Sequence, residues 1–117
     1  MEQQEIVKEL QELKKEIRKT QIEFENISDK YLELIKLYEI TKLKFIDPNI
    51  RDSAEKQMLR AMKENDEIKN LFIDTETFRR KRDICTKKLD YLKEQVKILT
   101  SFLYSIEREN KWIKKYN

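Results

Sequence analysis

The chain has 117 residues, of which 42% are charged, and its formal net charge is +3. It contains no glycine and no histidine, one proline and one cysteine. Without glycine, P-loops and dinucleotide-binding fingerprints are excluded, and tight β-hairpins are disfavoured. Without histidine, a Ser/His/Asp triad and imidazole metal ligands are excluded. We therefore expect an all-α protein, an elongated helical hairpin or coiled coil in a single helical unit (residues 1–117), with no enzymatic activity, metal or cofactor.

Three features of the sequence predict a cytoplasmic location. The single cysteine, Cys85, cannot form an intrachain disulfide, which fits a reducing compartment. The first residues lack the basic and apolar regions of a signal peptide. The most apolar segment, residues 96–106, is interrupted by polar side chains and is too short to span a bilayer.

The first predicted helix covers about residues 2–46 and carries a heptad seam. Apolar residues and threonines alternate in steps of four and three, a spacing that keeps one stripe against a neighbouring helix. From position 24 onward, the first position of each heptad is aromatic. The seam consists of Ile6, Leu10, Leu13, Ile17, Thr20, Phe24, Ile27, Tyr31, Leu34, Tyr38, Thr41 and Phe45.

A weaker helix is predicted over about residues 50–72. Pro48 disfavours helical geometry at Asp47, so the first helix should end there. Either Asp47 or Asn49 could cap the second helix. Its seam is weak because it contains two alanines and an asparagine.

The third predicted helix covers about residues 75–115 and starts after a break or kink near residues 73–75. Asp74 can cap it, and the apolar stripe changes phase at this point. Its apolar face is wider than a two-stranded coil needs, so we expect it to be a long oligomerisation helix. The predicted oligomerisation residues are Leu92, Val96, Leu99, Phe102, Leu103 and Ile106.

Positive charge is concentrated near the start of this helix. Residues 79–97 contain eight basic and three acidic side chains. Arg79, Arg80 and Arg82 could contact the phosphates of a nucleic acid. The same charges could equally be a solvated helix face, since Asp83 lies at a spacing that allows ion pairs.

Two stretches of the chain resemble the UvsY family of tailed-phage recombination mediators. These small helical proteins help the phage recombinase load onto single-stranded DNA that is coated with single-strand-binding protein. The first stretch is SDKYLELI (residues 28–35), which leads into ITKLKFIDPNIR (residues 40–51). The second runs from AEKQMLRAMKENDEIKNL (residues 54–71) through LDYLKEQVKILTSFLYSIERENKW (residues 89–112). Together they cover most of the chain.

The resemblance implies a homo-oligomeric ring, a hexamer or heptamer, assembled through the C-terminal helices. It implies a DNA contact at a basic element that corresponds here to Lys42 and Lys44, with Arg51 close by. The glycine-containing stretch that follows this element in the family is here an Asp-Pro-Asn connection, and an RGF-like turn is replaced by SFLYS. The implied partners are single-stranded DNA, the phage recombinase and single-strand-binding protein, in the host cytoplasm if the protein is phage-encoded.

Two hypotheses about function follow. In the first, the protein is a non-enzymatic recombination mediator, active in DNA recombination and repair, which binds single strands without sequence preference and with a strong dependence on salt. In the second, it is an architectural or adaptor coiled coil that self-associates and binds another protein, and no nucleic acid. Neither hypothesis involves a membrane.

Overall fold

Three helices account for most of the chain. The computed structural model describes the backbone of residues 2–116 and the side chains of residues 2–115. The helices are α1 at Gln3–Lys42, α2 at Ala54–Glu64 and α3 at Asp66–Tyr116, and the described residues include no strand. Within the same residues, no helix contains a stretch that is long and apolar enough to cross a membrane. The predicted all-α fold is confirmed.

The heptad seam is confirmed on α1 from Ile6 to Thr41, and Phe45, its last predicted member, lies in the turn after the helix. All twelve predicted seam positions are buried or half-buried, while most of the positions between them are exposed. Ile6 is 1% exposed. Thr20 is 0% exposed, and its hydroxyl donates to the Glu16 carbonyl at 2.8 Å. This bond satisfies the hydroxyl, which explains why a polar residue is tolerated in the seam.

The first helix ends at Lys42, before the predicted end near residue 46. A tight turn follows, in which the Lys44 amide donates to the Thr41 carbonyl at 3.0 Å. The turn carries Phe45 onto a core cluster of the neighbouring helices. The buried members of this cluster are Met58, Ala61 and Ile68. Burial of an apolar side chain therefore redirects the chain before the proline is reached.

The second helix is only 11 residues long, so the predicted span of about 50–72 is wrong at both ends. Its N-cap is Ser53, whose hydroxyl oxygen accepts from the Lys56 amide at 3.2 Å. The two predicted caps have another role. The Asp47 carboxylate accepts from the Asn49 amide at 2.9 Å and closes a turn within the connecting loop.

The third helix begins at Asp66 and continues without interruption, so the predicted break near residues 73–75 is wrong. The chain breaks at Asn65 instead. This residue is extended, with φ −132° and ψ 113°, and it separates α2 from α3. Its side-chain oxygen accepts from the Glu67 amide at 2.9 Å, which satisfies one of the free amides at the start of α3.

The sequence predicts a break here because the seam of α3 includes polar residues, whereas the seam pattern is recognised by its apolar residues. Leu71 is half-buried and occupies the seam, whereas Phe72 is 39% exposed. Thr75 is 9% exposed and donates its hydroxyl to the Leu71 carbonyl at 2.7 Å. Arg82 is half-buried one heptad further on. With these positions, the alternation of threes and fours is unbroken over residues 68–106.

The chain divides into two compact units. The terminal unit joins the residues up to Glu23 with those from Cys85 onward, and the central unit is Phe24–Ile84. The sequence had indicated one helical unit over residues 1–117. Each compact unit contains part of α1 and part of α3, and α2 belongs to the central unit.

Within the terminal unit, the two helical segments are antiparallel. The Cys85 thiol lies 3.8 Å from the Thr20 carbonyl oxygen. One turn further along α3, the Lys88 ammonium lies 3.2 Å from the Glu16 carboxylate, which is one turn earlier on α1. Leu89 is 8% exposed on the same seam. This face of α3 is therefore covered by α1 within the same chain.

Candidate nucleic-acid interface

The loop between α1 and α2 presents the first group of predicted DNA-binding residues. Lys42 is the last residue of α1 and is half-buried. Lys44 and Arg51 are exposed in the loop. Within residues 2–116, none of these three side chains has an ion-pair partner. Among the described residues, no carboxylate therefore lies within ion-pair distance of these three cations. We call residues 43–53, together with Lys42, the basic loop.

The side chain of Gln57 holds the basic loop in place. It is 7% exposed. Its Oε1 accepts from the Asp47 amide at 2.7 Å, and its Nε2 donates to the carbonyls of Asp47 at 3.1 Å and Asp52 at 3.0 Å. The Asp52 carboxylate also accepts from the Arg60 guanidinium at 2.7 Å. One residue of α2 thus satisfies three backbone groups of the loop and limits how far its cations can move.

The backbone of the basic loop needs no special residue. No described residue has a positive φ. The chain turns from α1 into α2 through ordinary conformations, and glycine is not required at any point of this connection. The loop is fixed by side-chain hydrogen bonds and by the packing of Phe45 against the core cluster.

Replacing Gln57 by alanine should loosen the basic loop. The substitution removes three hydrogen bonds to backbone groups, a loss of about 1–3 kcal/mol, so local opening should become roughly 5- to 150-fold more frequent. Trypsin cleavage after Lys44 and Arg51, followed by mass spectrometry, measures this opening. Gln21→Ala, at an exposed position of α1, is the matched control and should leave cleavage in the loop unchanged. Equal cleavage rates in the two variants would show that Gln57 does not hold the loop.

The second group of predicted DNA-binding residues, on α3, is largely engaged within the chain. The Arg79 guanidinium lies 2.8 Å from the Glu76 carboxylate and 3.3 Å from that of Asp83. The hydrogen bond from Arg79 lowers the pKa of Glu76, and the same bond raises the pKa of Arg79. Asp83 thus pairs with Arg79, as its helical spacing allows.

Arg82 is half-buried on the seam, beside two aromatic rings of α1. Its guanidinium carbon lies 5.6 Å from the centre of the Phe24 ring and 5.7 Å from that of Tyr31. Both distances are in the range of a cation–π interaction. The Lys81 ammonium lies 4.6 Å from the Phe78 ring centre. These contacts engage Arg79, Lys81 and Arg82 within the central unit.

Arg80 is the member of the predicted set on α3 that is exposed and has no ion pair among the described residues. It lies beside a shallow surface hollow that Phe72, Ile73 and Thr77 also line. The structure therefore places Lys42, Lys44 and Arg51 together at one loop, and of the three predicted arginines on α3 it leaves Arg80 as a comparable phosphate contact.

The predicted oligomerisation residues separate into two faces. Leu92 is 7% exposed, and four more lie half-buried on the same seam: Val96, Leu99, Leu103 and Ile106. Phe102 is 58% exposed on a neighbouring face. This outer face also carries Tyr91, Ile98 and Trp112, which are 64%, 41% and 63% exposed. We call these four residues the outer stripe of α3.

The described residues contain no cluster of three or more His, Cys, Asp or Glu side chains that could hold a metal ion. Cys85 is 4% exposed, and its burial raises the pKa of the thiol. A protonated, buried thiol is a weak nucleophile.

The fold and the basic loop define an all-α protein with a candidate polyanion contact. Comparisons with protein-family models, with curated proteins and with solved structures gave no match. The resemblance to the UvsY family, noted above from two stretches of sequence, stays a prediction. The assignment of function therefore depends on the geometry of the chain and on that resemblance.

Proposed function

We propose that this protein binds single-stranded DNA and acts as a recombination mediator, which helps a phage recombinase to load by weakening the grip of single-strand-binding protein. The observation that supports the proposal is the basic loop. Lys42, Lys44 and Arg51 are free of ion pairs in the described part of the chain, and Gln57 holds the loop that carries them. Such cations can contact phosphates along a strand without reading its sequence.

Oligomerisation would multiply this contact. In the proposed hexamer or heptamer, each subunit presents one basic loop, and linked sites on one strand bind far more tightly than a single site. The outer stripe of α3 offers an exposed apolar surface for such an assembly. A multivalent ring could bend or wrap the strand, which weakens the contacts of the protein that covers it. If phage-encoded, the protein would act in the host cytoplasm.

The proposal is tested by fluorescence anisotropy of a labelled single-stranded oligonucleotide, titrated with the protein at several salt concentrations. With three phosphate contacts per subunit, the slope of log affinity against log salt should be about −2 for each subunit engaged. From 50 to 200 mM salt, the affinity should then fall roughly 20-fold per engaged subunit. Absence of binding at the lowest salt concentration would contradict the proposal.

A second candidate function is an architectural or adaptor role. The observations that favour it are the ion pairs of Arg79 and the ring contact of Lys81 on α3, together with the exposed outer stripe. In this case, sedimentation would show self-association while the anisotropy titration shows no DNA binding. The two measurements together separate the two candidates.

A further inference from the structure

The last turns of α3 extend beyond the start of α1. In the terminal unit, the contacts between the two antiparallel segments join residues whose numbers add up to about 105. Because α1 begins at Gln3, it reaches only to about residue 102 of α3. The remaining segment, residues 103–116, is roughly 20 Å long, and we call it the overhang. Exposure along the seam rises accordingly, from 7% at Leu92 to 43% at Ile113.

The overhang lacks a surface to pack on within its own chain. A helical segment of this length gains little stability unless one of its faces is packed against another element. The outer stripe of α3 is exposed along the same part of the helix and ends on the overhang, at Trp112. A partner that covers the outer stripe would therefore also support the overhang.

The outer stripe belongs to a second heptad pattern on α3. Tyr91 and Ile98 are seven residues apart, Trp112 follows two heptads later, and Phe102 lies four residues after Ile98. Steps of three and four alternate without a slip, which is the spacing of a surface that packs along one other helix. We call this series the outer seam. In chain order it consists of Lys88, Tyr91, Gln95, Ile98, Phe102, Ser105, Glu109 and Trp112.

The centre of the outer seam is complementary to itself in the antiparallel direction. We consider two copies of α3 related by a two-fold axis at residue 100. Ile98 of one copy then faces Phe102 of the other, and this apolar pair occurs twice because of the symmetry. Gln95 faces Ser105, so the polar residues of the seam meet each other and not an apolar side chain.

The ends of the outer seam favour the same direction. In the antiparallel pair, Tyr91 faces Glu109, to which its hydroxyl can donate, and Lys88 faces the ring of Trp112, a cation–π arrangement. In a parallel pair in register, Lys88 would face Lys88 and Glu109 would face Glu109. Like charges would then oppose each other at two positions of the contact.

The charged residues beside the outer seam select the register. Glu94 and Arg108 are exposed and each precedes a seam residue, a position at which the two helices of an antiparallel pair approach each other. With the axis at residue 100, Glu94 approaches Arg108 of the other copy on both sides of the axis. Ser101 approaches Ser101 at the axis itself. Lys87 and Lys115, which are also exposed, meet at the outer ends, where solvent screens their repulsion.

Registers shifted by one heptad fit less well. A shift in one direction places Arg108 beside Lys87, which are like charges, and separates Ile98 from Phe102. A shift in the other direction places the carboxylate of Glu109 against the apolar side chain of Ile98. Charge complementarity and apolar contact therefore coincide at a single one of these three registers.

We propose that the protein forms an antiparallel two-fold dimer through the outer seam, in which residues 88–112 of α3 pair with the same residues of a second copy. The contact extends over about 25 residues of each helix, or roughly 37 Å. The overhang of each chain packs along the α3 segment of the other chain that α1 already supports. Each chain thus supplies the surface that the overhang of its partner lacks.

This inference goes beyond the proposed function, because it assigns a direction and a register to self-association and does not depend on DNA. In a two-fold contact, both subunits use the same surface, so each outer seam is satisfied by one partner. The hexamer implied by the resemblance can be built from such pairs. A heptamer would leave one outer seam uncovered.

The register is tested by oxidative cross-linking of the full-length protein with one added cysteine. Ser101→Cys should form a disulfide-linked dimer, because the two sulfur atoms meet at the axis. Thr100→Cys, the exposed neighbour on the side away from the contact, is the matched control and should cross-link at least about tenfold more slowly. The native Cys85 is 4% exposed, so the unchanged protein should not cross-link. Equal rates in the two variants would overturn the proposed register.

The direction of the pair is tested by mixing two variants before oxidation. Glu94→Cys and Arg108→Cys should cross-link to each other when mixed. Glu94→Cys alone should not, because the two copies of this residue are roughly 20 Å apart along an antiparallel pair, beyond the reach of a disulfide. A dimer of Glu94→Cys with itself and no mixed dimer would show a parallel pair, and the proposal would be wrong.

Sedimentation velocity then measures the contribution of the apolar surface. Phe102→Glu should weaken self-association at least about hundredfold, because each substitution is present twice in the dimer. Tyr104→Glu is the matched control, since Tyr104 is an aromatic residue of similar exposure, 62% against 58% for Phe102, outside the outer seam. It should change self-association by about threefold or less. Circular dichroism checks that both variants retain their helices.

An unchanged protein that is monomeric at every concentration, or equal losses in the Phe102 and Tyr104 variants, would overturn the dimer. None of these measurements includes DNA. The failure of the dimer is therefore distinguishable from the failure of DNA binding, which the anisotropy titration reports separately.

Discussion

Replacing Lys42 and Lys44 together by glutamate should weaken single-stranded DNA binding at least about tenfold, since each lost phosphate contact removes electrostatic affinity and each new carboxylate repels the strand. Lys44 is exposed and Lys42 is half-buried, and neither is committed to an ion pair in the described residues. The change therefore removes charge without breaking an internal contact of that kind. Anisotropy titration at low salt measures the loss, and it should shrink as salt is raised.

The matched control for this variant is Lys14→Glu with Lys19→Glu. Both lysines are exposed on α1, in the terminal unit, and have no ion pair within residues 2–116. The control changes the net charge by the same amount, so an equal loss of affinity would point to the overall charge of the protein and not to the basic loop. If the Lys42/Lys44 variant binds DNA as the unmodified protein does, the contact lies elsewhere, and Arg80→Glu is the next variant to measure.

Replacing Ile68 by alanine should reduce the free energy of unfolding by about 3 kcal/mol, the middle of the range for a large-to-small change at a fully buried site. Ile68 is 0% exposed, and it packs in the core cluster with Met58 and Ala61. Alanine would leave a cavity between three helical segments that α2, a helix of 11 residues, cannot easily close. Urea denaturation followed by circular dichroism at 222 nm measures the loss.

Ile73→Ala is the control for the stability measurement. Ile73 lies on the same helix and is 47% exposed, so its truncation should cost about 0.5 kcal/mol or less. The prediction is that the loss in free energy of unfolding is larger for Ile68→Ala than for Ile73→Ala. Similar losses at both positions would show that Ile68 is not enclosed as the structure describes.

The two long helices illustrate what a heptad pattern can and cannot predict. In α1, the seam positions are apolar, aromatic or threonine, and the spacing alone located all of them. In α3, the polar residues Thr75 and Arg82 occupy seam positions. The aromatic Phe72 lies beside the seam, whereas the smaller Leu71 lies on it. When the seam is traced from Ile68 to Phe72, the next positions do not match the apolar residues that follow. A break is then predicted that the structure does not contain.

The polar seam residues of α3 could not be recognised from the sequence, because apolar spacing does not indicate which groups will contact a polar side chain. Arg82 is accommodated by two aromatic rings of α1, Phe24 and Tyr31, which are far away in the sequence. Thr75 is accommodated by a carbonyl one turn earlier. The end of α2 was missed for a related reason: Asn65 both ends one helix and caps the next, within a stretch that contains neither proline nor glycine.

The candidate site was predictable only in part. Lys42, Lys44 and Arg51 were selected from the resemblance, and the structure leaves them without ion pairs among the described residues. Gln57 gave no signal in the sequence, because a glutamine on a short helix is ordinarily a surface residue. Its role depends on two loop carbonyls and an amide that approach it only in the folded chain.

The absence of positive φ from the described chain bears on how the connection between α1 and α2 can change. At a turn that requires glycine, most substitutions carry a conformational penalty, so the choice of residue is restricted. Here every position from 43 to 53 has a backbone conformation that ordinary residues adopt, and the anchoring comes from Gln57 on α2. Residues of this segment that are exposed and make no ion pair, such as Lys44 and Arg51, can therefore be exchanged without a backbone cost. The charge and the length of these side chains can therefore be changed, in evolution or by design, while the helices stay the same.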